Sequence, residues 1–205
     1  MLAYAAKYYD RLLAATLEHL EIVVIALLIS LAIAALLTVA CSYSKTLSRV
    51  LLNLFSMIYS IPSLALLALL IPLTGLGTKT AVIVLVTYNQ YLLLRNFLAG
   101  LDGVDRGVVE AATGMWMTHM QILTRIKLPL AKAALIAGLR IALVSTVGIA
   151  TIAASINAGG LGMILFDGLR TMNVAKILWG SLLSAALAIL IDSLLLLVEK
   201  RSGKA

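Results

Sequence analysis

Few side chains in this sequence are of types that do chemistry, and their spacing argues against most of it. His19 and His119 could serve a metal or an acid–base dyad, but three long apolar runs lie between them. Three crossings of a membrane would put them on opposite sides. Cys41 is the single cysteine, so no intramolecular disulfide forms. It ends an apolar run and reads as a packed or lipid-facing thiol. Ser181 and Ser184 lack the glycine-flanked setting of an intramembrane nucleophile. With Gly180, Ala185 and Ala186 they read as small residues that let helices approach closely. Asp192 sits inside an apolar run, where a carboxylate is costly and needs a partner. Arg140 is the expected partner, in a structural ion pair. A proton relay would need a second buried acid, and none is evident. Tyr59, Tyr88, Tyr91 and Trp179 could offer ring faces to a quaternary ammonium solute, or could simply pack and anchor in lipid.

The elements that carry these residues are apolar helices. Of 205 residues, 62% are hydrophobic and 12% are charged, about half the charged share of a soluble domain. So much apolar surface exceeds what one small core can hold, and most of it must face lipid. Charge-free windows run over 22–44, 50–78, 80–94, 141–166 and 177–191. A helix needs about 20 apolar residues to cross a bilayer. Five transmembrane helices follow, near 20–42, 50–72, 79–100, 133–157 and 174–198, within one domain over 1–205. Pro62 should kink or break the second, and Pro72 with the run 74–77 should end it.

Lysine and arginine set the orientation. One group of loops holds Lys45, Arg49, Arg106, Arg125, Lys127, Lys132, Lys200, Arg201 and Lys204. The other holds Lys7, Arg11, Lys79, Arg170 and Lys176. The first side is therefore read as cytoplasmic, with the N-terminus outside and the C-terminus inside. The net charge of +7 is then a topology signal rather than a nucleic-acid footprint. Residues 1–20 are interrupted by Lys7, Asp10, Arg11 and Glu18, so they do not read as a signal peptide. Apolar residues at near-helical spacing predict an amphipathic interfacial helix there.

The connection between the third and fourth spans, 101–132, is long. Its interior is helix-compatible, Asp105 is a suitable N-cap, and Pro129 is expected to start the next helix. Methionines and alanines would suit the groove of a protein partner, with Glu110 free to pair with a base. A helix merely resting on the lipid surface would look similar.

The spacing Glu110-Ala111-Ala112, then Ile126, Leu128 and Pro129, resembles the EAA loop of bacterial ATP-binding-cassette (ABC) importer permeases. That pattern has a glycine where this chain has Trp116. Further likeness to the glycine betaine/carnitine/choline branch lies in 95–101, in the turn 158–162, in Gly168-Leu169, and in Gly180 with Asp192. There Asn157 replaces a usual glycine, a mild change because asparagine tolerates left-handed backbone. The resemblance implies an all-α polytopic membrane protein with a cytoplasmic coupling-helix loop, in the bacterial cell membrane. It implies two ATPase subunits docked on the loop, a second permease subunit, identical or paralogous, an extracytoplasmic binding protein, and surrounding lipid. It places no cofactor on this chain, since ATP and Mg would belong to the ATPase, and no catalytic or metal residue. It assigns Asn157, Gly159, Gly160 and Gly162 to the translocation path or outer mouth. The transported solute would be a quaternary ammonium osmoprotectant or, as an alternative, another small solute such as an amino acid. An ion-coupled secondary transporter would instead show an inverted repeat and paired intramembrane acids, which this sequence lacks.

Overall fold

Apolar windows separated by short charged connections build an all-helical bundle in the computed structural model, which describes residues 2–202. In chain order the helices are α1 (Leu2–Tyr43), α2 (Lys45–Tyr59), α3 (Ser63–Thr74), α4 (Thr78–Asp102), α5 (Arg106–Gly114) and α6 (His119–Ile122). A π-helical turn (Leu123–Lys127) leads into α7 (Leu128–Ala153). A 3₁₀ turn (Ala154–Ile156), α8 (Leu161–Arg170) and α9 (Val174–Ser202) complete the chain. Four helices are long and apolar enough to cross a membrane, or five if the bent pair α2–α3 forms one broken span.

The packed centre lies where α1, α4 and α7 meet. Ile22, Val23 and Ala26 of α1 close against Leu85, Leu93 and Phe97 of α4 and Ala142, Leu143 and Val147 of α7. In lipid, burial of apolar area drives such association only weakly, and close packing of small residues matters more. Gly100 and Gly138 serve this at the α4–α7 crossing. A Cβ on Gly138 would fall 2.5 Å from the Cβ of Asn96. A buried polar knot threads the same centre. Asn89 donates to Ser30 Oγ at 3.2 Å and to Thr146 Oγ1 at 2.9 Å, and Thr146 Oγ1 in turn donates to the Ala142 carbonyl at 2.7 Å.

One expectation changes and three are refined. Of the segment 1–20, read as a separate interfacial helix, the described residues from Leu2 onward are part of α1 instead. Apart from one break at Tyr8 (φ −124°, ψ 26°), α1 runs on to Tyr43, because Leu12, Ala15 and His19 are buried against the bundle. Its length is about 60 Å, twice the hydrocarbon thickness. The second span, placed at 50–72 with a kink or break at Pro62, is broken there into α2 and α3, bent by 95°. Pro62 caps α3, and the Tyr88 hydroxyl donates to the carbonyl of Ile61 inside the break. Pro129 is the second residue of α7, as expected, but no break precedes that helix. It lies within one continuous rod, His119–Ile156, which the π turn makes possible. There the Leu128 N–H reaches back five residues to the Leu123 carbonyl, and the wider turn makes room for a ring that would crowd an ordinary one. Finally, the fourth span, placed at 133–157, stops at the 3₁₀ turn, and α8 follows the glycine turn as a separate short helix.

Candidate functional site

Two regions gather the residues singled out above, one at each end of the bundle. The first is the helical loop α5–α6. Asp105 caps α5 as expected, its Oδ1 accepting from Val108 N at 3.1 Å. Thr118 and Gln121 cap α6 reciprocally, with Gln121 N to Thr118 Oγ1 at 3.3 Å and Thr118 N to Gln121 Oε1 at 2.8 Å. Of α5 only Ala112 is buried. Glu110, Ala111, Met115 and Trp116 are exposed, and Trp116 is 94% so. Among the described residues Glu110 makes no ion pair. Ile126 and Leu128 are half-buried and Pro129 is exposed. The loop is tied back to α1 by His119, whose Nε2 lies 3.0 Å from Ser42 Oγ and whose ring stands 4.4 Å from that of Tyr43.

Trp116 sits in an unusual backbone position. The Met117 N–H bonds the Ala112 carbonyl and the Trp116 N–H bonds the Thr113 carbonyl. This is the paired closure that ends a helix with one left-handed residue, a place glycine usually takes. Trp116 has φ +60°. The same closure recurs at Asn157 (φ +63°) and at Met172 (φ +50°). The glycine expected at 116 thus has a backbone reason, and the indole takes that position with a side chain that packs on nothing.

The second region is the turn 157–162 at the other end. Asn157 is exposed; Gly160 and Gly162 are buried. The turn is clamped by α1: Gly160 N donates to Glu18 Oε2 at 2.8 Å. A Cβ on Gly160 (φ +75°) would fall 2.8 Å from His19 Nδ1, and one on Gly162 only 2.1 Å from the Thr151 carbonyl oxygen. Glu18 and His19 were not recognised as site residues from sequence, because their partners lie about 140 positions away. A carboxylate and an imidazole side by side at the edge of an apolar run were the available signal. Nearby, Asp167 of α8 pairs with Lys176 of α9 at 2.6 Å, and the ammonium holds the Asp167 carboxyl below its usual range.

Between these ends, Arg140 and Asp192 form the expected pair, joined by Glu199, which was not foreseen: Arg140 Nη1 to Glu199 Oε2 is 2.7 Å. Tyr59 stacks 5.0 Å from Tyr91 and meets Tyr88 edge-on at 5.4 Å, so these rings pack on one another. His19 and His119 stand at opposite ends. His119 touches Ser42, which is 23 residues beyond His19 on α1, about 35 Å. No cluster of metal-binding side chains occurs among the described residues.

The comparisons with known proteins bear on these regions together. Residues 26–204 match the model of a family described as the binding-protein-dependent transport system inner membrane component. The carnitine transport permease protein OpuCB of Listeria monocytogenes is 34% identical over 93% of this chain and 87% of its own length. The choline transport system permease protein OpuBB of Bacillus subtilis is 34% identical over 93% and 88%. Among solved structures, an inward-facing MetNI methionine ABC transporter superposes with a TM-score of 0.83 at 24% identity, covering 93% of this chain and 96% of that one. The last likeness shows the fold.

Proposed function

The chain belongs to the family of binding-protein-dependent transport system inner membrane components, and from that premise we propose that it is the permease for a quaternary ammonium osmoprotectant such as glycine betaine, carnitine or choline. As a multi-pass permease subunit of an ABC importer it has no bond chemistry of its own, and ATP hydrolysis belongs to a separate subunit. The observation that carries the solute class is the 34% identity to permeases named for carnitine and choline, over nearly the whole chain.

In this reading α2 and α3 together make the second of five spans. The cation-rich side, with the α5–α6 loop, faces the cytoplasm; the N-terminus is outside and the C-terminus inside. An ATPase docks on the exposed face of α5 around Glu110, Ala111 and Trp116, in an assembly of two permeases and two ATPases. ATP and Mg bind the ATPase. The continuous rod from His119 to Ile156 supports a stiff connection from loop to span. Ala112 seats α5 on the bundle, and Ile126, Leu128 and Pro129 set the loop's angle to the rod. The turn at Asn157, Gly159, Gly160 and Gly162 meets an extracytoplasmic binding protein that delivers the solute.

Uptake of radiolabelled glycine betaine, carnitine and choline by cells expressing the full transporter tests this. Uptake should fall to background in Glu110→Arg while the chain remains in the membrane and no longer retains the ATPase. Unchanged uptake in that variant would remove the docking assignment. Competition by methionine but by none of the three ammonium compounds would remove the solute class.

A further inference from the structure

A cavity of about 620 Å³ opens at the loop-bearing end of the bundle. Lys45 and Arg49 on α2 and Lys127 in the π turn line it, with Ser48 and Asn53 between them. Among the described residues none of these three cations makes an ion pair. One acid, Asp102, shares the wall, which leaves an excess of two positive charges. The site is built by sequence pattern. On α2, Lys45, Ser48, Arg49 and Asn53 recur three to four residues apart and so lie on one face, while Val50, Leu54 and Met57 point outward, exposed.

Leu52, Leu98, Leu101 and Leu123 add an apolar stretch to the wall. Two of these, Leu101 and Leu123, also bound a second cavity of about 330 Å³ between α1, α4 and α7. That groove is walled mostly by aliphatic and aromatic side chains, Leu31, Val39, Phe97, Leu135 and Leu139 among them. A basic chamber and an apolar groove with a common wall call for a ligand with an anionic head and a hydrocarbon tail. A soluble phosphate would use only the first. Basic pockets between membrane helices characteristically receive lipid head groups.

We propose that this end of the bundle holds one anionic phospholipid, its phosphate among Lys45, Arg49 and Lys127 and an acyl chain along the apolar groove. The lipid would line the inner wall of the α5–α6 loop, since Val109, Thr113 and His119 border the same chamber.

Thermal unfolding of the full chain in neutral detergent tests the site, with added phosphatidylglycerol, phosphatidylcholine or inorganic phosphate at constant ionic strength. Phosphatidylglycerol should raise the midpoint saturably and phosphatidylcholine should not. Arg49→Gln and Lys45→Gln should each weaken the apparent affinity about fivefold, the effect of one cation near a lipid surface. Arg49→Lys should restore most of it, which separates loss of charge from misfolding. Lys200→Gln, on α9, borders neither the chamber nor the groove and should leave the affinity unchanged. Equal stabilisation by inorganic phosphate would overturn the lipid assignment, and so would an undiminished phosphatidylglycerol response in the α2 variants. Loss of ATPase retention in Arg49→Gln, with the lipid response intact, would give the chamber to a protein partner instead.

Discussion

The Arg140 guanidinium and the Asp192 carboxylate meet at two points, Nε to Oδ1 at 2.8 Å and Nη2 to Oδ2 at 3.0 Å. This fork joins α7 to α9 inside apolar surroundings, and Glu199 takes the remaining Nη1. Removing Asp192 strips Arg140 of the two-point partner and leaves it Glu199 alone, in a poor solvent. Asp192→Asn should therefore lower the thermal midpoint of the detergent-solubilised chain. The combined change Arg140→Leu, Asp192→Leu and Glu199→Gln should recover more than half of that loss, because apolar pairs replace buried ion pairs well and no unpaired carboxylate is left. A combined variant no better than the single one would mean that the pair does more than hold α7 to α9.

Gly162 and Gly114 should respond to alanine with opposite signs. At Gly162 the added methyl meets the Thr151 carbonyl, which is backbone and cannot swing aside. A loss of about 1–3 kcal/mol is expected. At Gly114 the same methyl meets nothing within 4 Å. There alanine should gain about 0.5–1 kcal/mol through lower chain entropy. Chemical denaturation of both variants measures the pair.

Trp116→Gly should stabilise the chain, although it deletes the largest exposed side chain of the loop. A left-handed residue with a Cβ costs about 1–2 kcal/mol, and glycine returns part of that gain as entropy. Because the indole is solvent-exposed, its removal forfeits no packing. Met172→Gly, with the same backbone and 84% exposure, should behave alike. A destabilised Trp116→Gly would show that the indole rests on something, such as the membrane surface.

The α8–α9 contact should weaken only in acid. The Asp167 carboxyl is held low by Lys176, so its support is full above the unfolded value of about 3.9 and is lost as pH falls through the folded value. Proteolysis across 171–173 should thus be flat from pH 5 to 8 and rise below about pH 4. Asp167→Asn should abolish that rise. The pair is half-exposed, so high salt should mimic mild acid in part.

The sequence made α4 and α9 legible to within a few residues, because lipid contact demands an uninterrupted apolar stretch. The Arg140–Asp192 pair was legible for the converse reason: an isolated intramembrane charge must find its counterpart. Other features were hidden where their cause lies far along the chain. Nothing local to Pro62 states a bend of 95°. It depends on Tyr88 reaching the exposed Ile61 carbonyl from another helix. Glu18 read as a mere interruption, although its carboxylate holds the Gly160 amide. The knot of Ser30, Asn89 and Thr146 is spread over three windows and exists only once α1, α4 and α7 have met.

The π turn at Leu123–Lys127 fits one residue more into its length than an α-helical path would use. Each residue turns an α-helix by about 100° and advances it 1.5 Å. One surplus residue thus fixes the compass bearing of everything N-terminal to it relative to α7. Deleting a single position between 123 and 127 would leave every helix intact yet swing Glu110 a quarter turn or more around the rod. Two chains with the same loop and the same spans could therefore differ in which neighbour they fit through one codon gained or lost here.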